Sequence, residues 1–569
     1  MPPSLTYPGV YIEEVPSGAR TITGVATSIT AFVGRARRGP VALPRLLHSW
    51  ADFERRYGGL WQESTLGYAV RDFYRNGGRD ALVLRLFAAD DGAGDGVARF
   101  TVAGALTLAA ASPGSWGANL RVVVDRKDVP ADSPDRFNLT VTDASPGGGS
   151  ERILGVSLSG DSPRRIDLVL ELNSDLVRWE GDPPDVAAAP PASGSDPGGA
   201  ALAAVTAVKA TLKVAQQALK DAVKGLGPGE DPPQDLVDAV TDAEQAVTDG
   251  GQAVADAAEA TGAGDGVALT AASFAAAGDD SGLTALDRAD LFNLLCIPPH
   301  THGGDIEPDL VADAAAYCER RRAMLLVDPP AAWTSSSDAV DGYLAQPDDI
   351  GTRSRNAAVY FPRLRQPDPE RGGATGEFAP CGTVAGVFAR TDAQRGVWKA
   401  PAGLEATLVG TAGLTVGLTD PENGDLNQLG INCLRSFGPA GRVVWGARTL
   451  RGADRLADEW KYVPVRRTAL FIEESLFRGT QWVVFEPNDA PLWGQIRLSV
   501  GAFLNSLFRQ GAFKGKTPQE AYLVKCDGET TTQNDIDLGV VNIVVGFAPL
   551  KPAEFVVIKF QQIAGQVQA

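Results

Sequence analysis

The stretch from Arg435 to Phe513 constrains this chain most, because several local signals there alternate between strand and helix. RSFGPAGRVVWGARTL gives a turn-rich loop, a short apolar strand and a Trp set against glycine. KYVPVR and WVVFEPN are apolar, β-branched and aromatic runs bounded by charge or proline, which predicts two further strands. In RRTALFIEESLFRGT, Ala469, Ile472, Leu476 and Phe477 recur close to the helical repeat. Leu492, Ile496, Val500, Phe503, Leu504 and Leu507 do the same in the segment that follows. Alternation of this kind predicts a compact α/β unit that buries its own core. None of the residues it aligns is an evident nucleophile, base or metal ligand set.

At 569 residues the chain is too long for one core, and about three or four domains are expected. The net charge of −18 argues against nucleic acid as a partner, since phosphate binding needs a basic face. The acidity is local: residues 181–282 hold 16 Asp and Glu against 4 Lys and no Arg, a net of −12, which leaves −6 for the other 467 residues. Five widely spaced cysteines form no C-x-x-C pair, so buried free thiols in a reducing compartment are expected rather than a disulfide framework or zinc ribbon. MPPSLTYPGVYIEEV lacks the basic and apolar regions of a secretory signal, and Gly539–Leu550 is too short to span a bilayer.

YPGVYIEEV, fenced by Pro8 and Pro16, predicts a short strand whose partner must lie far away in this chain or in another. TITGVATSITAFVG predicts a strand ending at Gly34. SWADFERRYG is a helix capped by Ser49, LGYAVRDFYRNGG a second helix stopped by glycine, and ALVLRLF a buried strand. From residue 92 to 180 the texture is β-rich, with RVVVD, FNLTVTD and RRIDLVLEL as strands. Residues 181–283 are foreign to both: a Pro/Gly/Ser linker, then Ala-rich segments 200–224 and 235–260 that predict a helical hairpin. Its apolar positions are small, so it buries little area and is expected to be mobile. DRADLFNLLCIPP, RRAMLLVDPP and SRNAAVYFPRL resume the strand pattern with a helix at AAAYCERR, and the tail after Leu538 predicts two strands around Pro549-Leu550-Lys551-Pro552.

Three motifs approach known chemistry and fall short of it. Gly511-Ala-Phe-Lys-Gly-Lys-Thr517 has three residues between its glycines where a P-loop needs four, and it follows a helix. Cys296, His300 and His302, with Asp305 and Glu307, are metal-compatible types, but no second ligand pair has zinc spacing. GVSLSG lacks the nucleophile-elbow spacing, and three histidines in all supply a nucleophile relay poorly. No catalytic, cofactor-binding or metal residue is therefore assigned.

Several stretches together resemble the contractile tail sheath family of phages and phage-derived injection systems. They are PGVYIEEVPSG (8–18), TSITAFVG (27–34), PGSWGANLRV (113–122), AGVFARTDAQRGVWKAPAG (385–403), LRSFGPAGRVVWGARTL (434–450) and Trp460–Gly515. The likeness covers roughly 1–130 and 285–569, departs slightly at Gly403, where the family usually has Asn, and says nothing of 181–282.

The resemblance implies a multidomain α/β (α+β) structural protein, not an enzyme, with no cofactor. Six regions are expected: an N-terminal arm (1–25), a discontinuous α/β domain (26–91 and 284–380), a β-rich outer subdomain (92–180), the acidic helical insertion (181–283), a sheath core domain (381–552) and a C-terminal arm (553–569). Subunits of this family stack as hexameric rings around an inner tube and link by exchanging terminal strands, a β-augmentation that builds a helical polymer. Carried onto this chain, the exchanged residues are Tyr7, Val10, Tyr11, Ile12 and Val15 at one end, and Phe555, Val556, Val557, Ile558 and Phe560 at the other. Arg509, Lys514 and Lys516 are the candidates for facing the tube. The implied partners are further copies of the chain, the inner tube, and baseplate and terminator or cap proteins, with no nucleic acid and no membrane insertion. The implied location is the cytoplasm of the producing bacterium, in a phage tail or tail-like particle released by lysis. The competing expectation is an α/β enzyme of unknown activity decorated by insertions.

Overall fold

A computed structural model describes residues 20–90, 94–102, 106–130, 133, 135–145, 148–184, 197–224, 232–275, 281–346 and 348–559. At its centre lies an eight-stranded sheet built from β1 (Thr30–Gly34), β2 (Arg45–Leu47), β3 (Ala81–Arg85), β4 (Leu294–Cys296), β5 (Met324–Val327), β6 (Ala357–Phe361), β7 (Asn432–Phe437) and β8 (Gly441–Val444). Their order across the sheet is β8-β7-β6-β5-β4-β1-β3-β2. Six neighbours from β7 to β3 run parallel, and β8 and β2 close the two edges antiparallel.

The inner strands are buried on both faces, as their unbroken apolar runs require. Alternate side chains divide between two cores. Ala31, Val33, Leu82, Leu84, Leu325 and Val359 face the helices α3 (Pro308–Arg320), α4 (Ser336–Leu344) and α6 (Asp420–Leu429). Phe32, Val83, Leu294, Leu326 and Tyr360 face α1 (Trp50–Tyr57), α2 (Leu66–Arg75) and α5 (Cys381–Arg395). Ser49 caps α1 as expected, accepting from the Asp52 amide at 3.1 Å. Where α5 crosses α2 there is room only for glycine: a Cβ on Gly382 would lie 2.1 Å from the Ala69 carbonyl oxygen, and one on Gly386 2.5 Å from that of Phe73.

Residues 94–184 form two three-stranded sheets around a separate core that includes Phe100, Trp116, Leu139 and Leu170. The helices Pro197–Lys224 and Gln234–Thr261 pack along each other as the expected hairpin, beside the turn at Ser115–Asn119.

A C-terminal unit has its own core. Helices α7 (Val463–Gly479) and α8 (Ala490–Arg509) lie with the antiparallel pair β9 (Tyr522–Lys525) and β10 (Val544–Phe547) around Ile472, Ile496, Phe503 and Leu507. The chain enters across this unit. The Arg20 amide donates to Ser499 Oγ and the Val25 amide to Ser475 Oγ, both at 3.2 Å, and Ile22 is buried in the same core.

Five expectations are corrected. KYVPVR is the entry to helix α7: Pro464 stands in its first turn, where its missing N–H costs nothing and where a ladder would have lost a donor. WVVFEPN is a short turn and an open loop, with Val484 and Phe485 exposed and no strand beside them. RRIDLVLEL is largely the helix Ile166–Asn173, whose buried Ile166, Val169 and Leu170 have helical spacing. Of the two tail strands only β10 forms among the described residues, where residues 551–559 have no ladder partner. Finally, Arg435–Phe513 does not enclose a core of its own: β7 and β8 complete the large sheet, while α8 belongs to the C-terminal unit. The large sheet thus runs across the boundary expected at residue 381.

Candidate functional site

β9 and β10 form a two-stranded ribbon, registered from Tyr522↔Phe547 to Lys525↔Val544. Among the described residues no third strand pairs with either outer edge. Ribbons of two strands are marginal on their own. This one is held from beneath by α8, where Arg497 donates to the Cys526 carbonyl and Ala521 and Cys526 are buried. Its other side carries the exposed Leu523 and Val544. An open edge with apolar neighbours presents unpaired backbone N–H and C=O groups to any strand that can reach it.

The second component is the segment after the ribbon. The Ala548 amide donates to the Ala521 carbonyl at 2.8 Å, and Pro549 bridges Phe513, after which regular pairing ends. Glu554 then meets Arg448, whose side chain is fully buried: Nε donates to Oε1 at 2.8 Å and Nη2 to Oε2 at 2.6 Å. The remaining nitrogen, Nη1, donates to the Asn427 carbonyl at 2.6 Å and to Asp454 at 3.0 Å. Burial alone would lower the Arg448 pKa, but Glu554 and Asp454 outweigh it and hold the guanidinium above its ordinary value. Beyond this pair Phe555, Val556, Val557 and Ile558 are 70–82% exposed. Covering side chains of this size is worth about 1.5–3 kcal/mol each, so the run is a strong drive toward a partner.

Of the residues expected to exchange between subunits, Tyr7, Val10, Tyr11, Ile12, Val15 and Phe560 lie outside the described residues. Phe555–Ile558 stand free beside the ribbon's own unit. Arg509 ends α8 and Lys514 and Lys516 lie in the loop after it, all three exposed, and among the described residues none makes an ion pair. The Lys514 amide donates to the Ala548 carbonyl at 2.9 Å, which places this basic group beside the root of the arm. Arg448 and Glu554 were not singled out from sequence. Arg448 lies in the quoted GARTL run, and a lone arginine in an apolar stretch was the available signal.

The near-miss motifs stay apart from this surface. His300 stacks on Phe274 and His302 packs edge-on to Tyr68, and burial lowers both pKa values, favouring neutral rings. Among the described residues no cluster of three or more His, Cys, Asp or Glu is arranged to hold a metal, and all five cysteines are free and buried. No described helix is long and apolar enough to cross a membrane.

Comparison with known proteins follows the same division of the chain. Residues 276–450 match the phage tail sheath protein central domain, and residues 457–563 the phage tail sheath C-terminal domain. A Pseudomonas aeruginosa (strain UCBPP-PA14) protein named as a prophage major tail sheath protein is 26% identical over 283 residues, 48% of this chain and 67% of that one. In fold, the chain is similar to the anti-feeding prophage helical sheath in its contracted state, with TM-score 0.53 at 22% identity over 98% of this chain and 99% of that one. It is also similar to the sheath tail protein of Listeria innocua, with TM-score 0.52 at 12% identity over 93% of this chain and 96% of the other. The chain belongs to the phage tail sheath family.

Proposed function

We propose that this protein is a structural subunit of a contractile sheath whose copies are joined by donated strands. One observation carries the reading: a two-stranded ribbon with open edges shares a unit with an exposed apolar arm that has no partner strand among the described residues. The arm of one copy, centred on Phe555–Ile558, adds a strand to the ribbon of the next, with backbone hydrogen bonds for strength and alternate side chains for register. The N-terminal residues Tyr7, Val10, Tyr11, Ile12 and Val15 add a second strand in the same way. Because donor and acceptor are different surfaces of one chain, the contact is heterologous and propagates into a helical polymer.

In this reading hexameric rings stack around an inner tube and shorten on triggering to drive the tube through a target envelope. The work is mechanical, and no catalysis is assigned. Arg509, Lys514 and Lys516 face the tube, and baseplate and cap proteins bound the two ends of the polymer. The subunit is made in the bacterial cytoplasm and leaves by lysis as part of a phage tail or tail-like particle.

Deletion of residues 1–16 or 553–569 tests the reading by electron microscopy. Each truncated chain should stay folded and fail to form sheaths, and sheaths of normal length from either would refute strand donation.

A further inference from the structure

We propose that the Arg448–Glu554 pair is the fixed root of the C-terminal arm, and that it delivers tension on the arm to the eight-stranded sheet rather than to the ribbon. The inference rests on strand donation as the arm's role.

Beyond the Phe513–Pro549 bridge, from Lys551 to Ile558, the chain makes no hydrogen bond among the described residues other than those of Glu554. Packing holds this stretch only in part, with Pro549, Leu550 and Pro552 half-buried and Lys551 and Ala553 exposed. It borders a cleft of about 780 Å³ lined by Trp398, Lys399, Trp445 and Gln510. Pro549 and Pro552 lack the N–H groups that a ladder would need. A pulled arm without Glu554 would therefore transmit its load to the Phe513–Pro549 bridge and the Ala548–Ala521 hydrogen bond and peel β10 from β9, a pair with no third strand beside it among the described residues.

Glu554 changes that path. Its carboxylate takes two parallel hydrogen bonds from Arg448, the strong bidentate geometry of a guanidinium and a carboxylate, and a third from the Tyr462 hydroxyl at 3.3 Å. Arg448 is in turn fastened away from the ribbon. Its side chain bonds the Asn427 carbonyl in the helix Asp420–Leu429 and the Gly452 carbonyl at 3.3 Å. Its own amide donates to Asn432 Oδ1 at 2.7 Å, and its carbonyl accepts from Asn432 Nδ2, also at 2.7 Å. Asn432 opens β7 and donates onward to the Val359 carbonyl on β6 at 3.0 Å. Arg448 and Glu554 are thus positioning residues: the first ties the root to two strands of the large sheet, and the second fixes the point beyond which the arm is free.

The test uses the full-length chain with Glu554→Ala and Glu554→Gln, beside a chain ending at Glu554. Arg448 keeps Asp454, Asn427 and Gly452 through Nη1 in both point variants, so both should stay folded, with a loss of thermal stability from the Nε and Nη2 donors that is larger in Glu554→Ala than in Glu554→Gln. Chymotrypsin should cut the unassembled parent at Phe555. In Glu554→Ala it should also cut at Leu550, about tenfold faster than in the parent, because that segment is released. Glu554→Ala sheaths should assemble and then break under shear to several-fold shorter pieces than parental sheaths, with Glu554→Gln, which keeps one acceptor, in between. Unchanged cleavage at Leu550 and unchanged sheath length after shear would overturn the anchor while leaving strand donation intact. Normal sheaths from the chain ending at Glu554 would instead bring down strand donation, and the anchor with it.

Discussion

Arg467 and Asp392 form a two-point ion pair in the interior, Nη1 to Oδ1 at 2.9 Å and Nη2 to Oδ2 at 2.6 Å, with both side chains less than 5% exposed. Nη2 of Arg467 also donates to the Thr27 carbonyl at 2.8 Å. One guanidinium therefore ties α7 of the C-terminal unit to α5 on the large sheet and to the segment entering β1. Asp392→Ala leaves that arginine buried and unpaired, which typically costs about 3–5 kcal/mol. Chemical denaturation should show a loss of that order, and a change below about 1 kcal/mol would mean that the two units are held together by other contacts.

The central sheet was legible because strands buried on both faces leave continuous apolar runs, as in TAFVG, ALVLR, MLLV and AAVYF. The same rule misled at KYVPVR and WVVFEPN. β-branched and aromatic residues there suit a strand, but tertiary context put Pro464 into a first helical turn and left Phe485 in solvent. The arm's residues were named from the resemblance, and their exposure is a property of the folded chain that local spacing does not carry. The Arg448–Glu554 pair joins residues 106 positions apart, and no periodic signal spans such a distance.

Asp328 should make stability pH-dependent. Its Oδ1 accepts the Cys381 amide at 2.7 Å, whereas Oδ2 is sealed from solvent with no partner, and burial raises the carboxyl pKa to about 6. A carboxyl raised in the folded state gives stability that is fully present below its unfolded pKa and lost as pH climbs toward about 6. Above that, the folded chain carries a poorly solvated charge. At about 1.4 kcal/mol per pKa unit the cost is about 2–3 kcal/mol. Asp328→Asn keeps an acceptor for Cys381 and removes the charge. Denaturation midpoints should show the variant more stable than the parent at pH 7.5 and equal to it near pH 4; an advantage that does not shrink on acidification would exclude this origin.

Charge reversal at Arg509, Lys514 and Lys516 should weaken attachment of the inner tube without unfolding the subunit, since all three side chains are exposed. The loss should depend on salt, because such contacts are screened beyond about 10 Å at 0.1 M ionic strength. Co-sedimentation with the tube protein at low and high salt measures it, and unchanged co-assembly at low salt would remove these residues from the tube-facing surface.

Strand donation is tested most directly by a cross-link that only two different copies can make. One population carries Val557→Cys in the arm, and the other carries Leu523→Cys or Val544→Cys on the ribbon, in a chain whose five native cysteines are buried. The two are mixed, assembled and oxidised. Strand donation predicts a disulfide-linked heterodimer at one of the two ribbon positions, absent when the two populations are oxidised without assembly. Sheaths of normal length with no heterodimer at either position would contradict it.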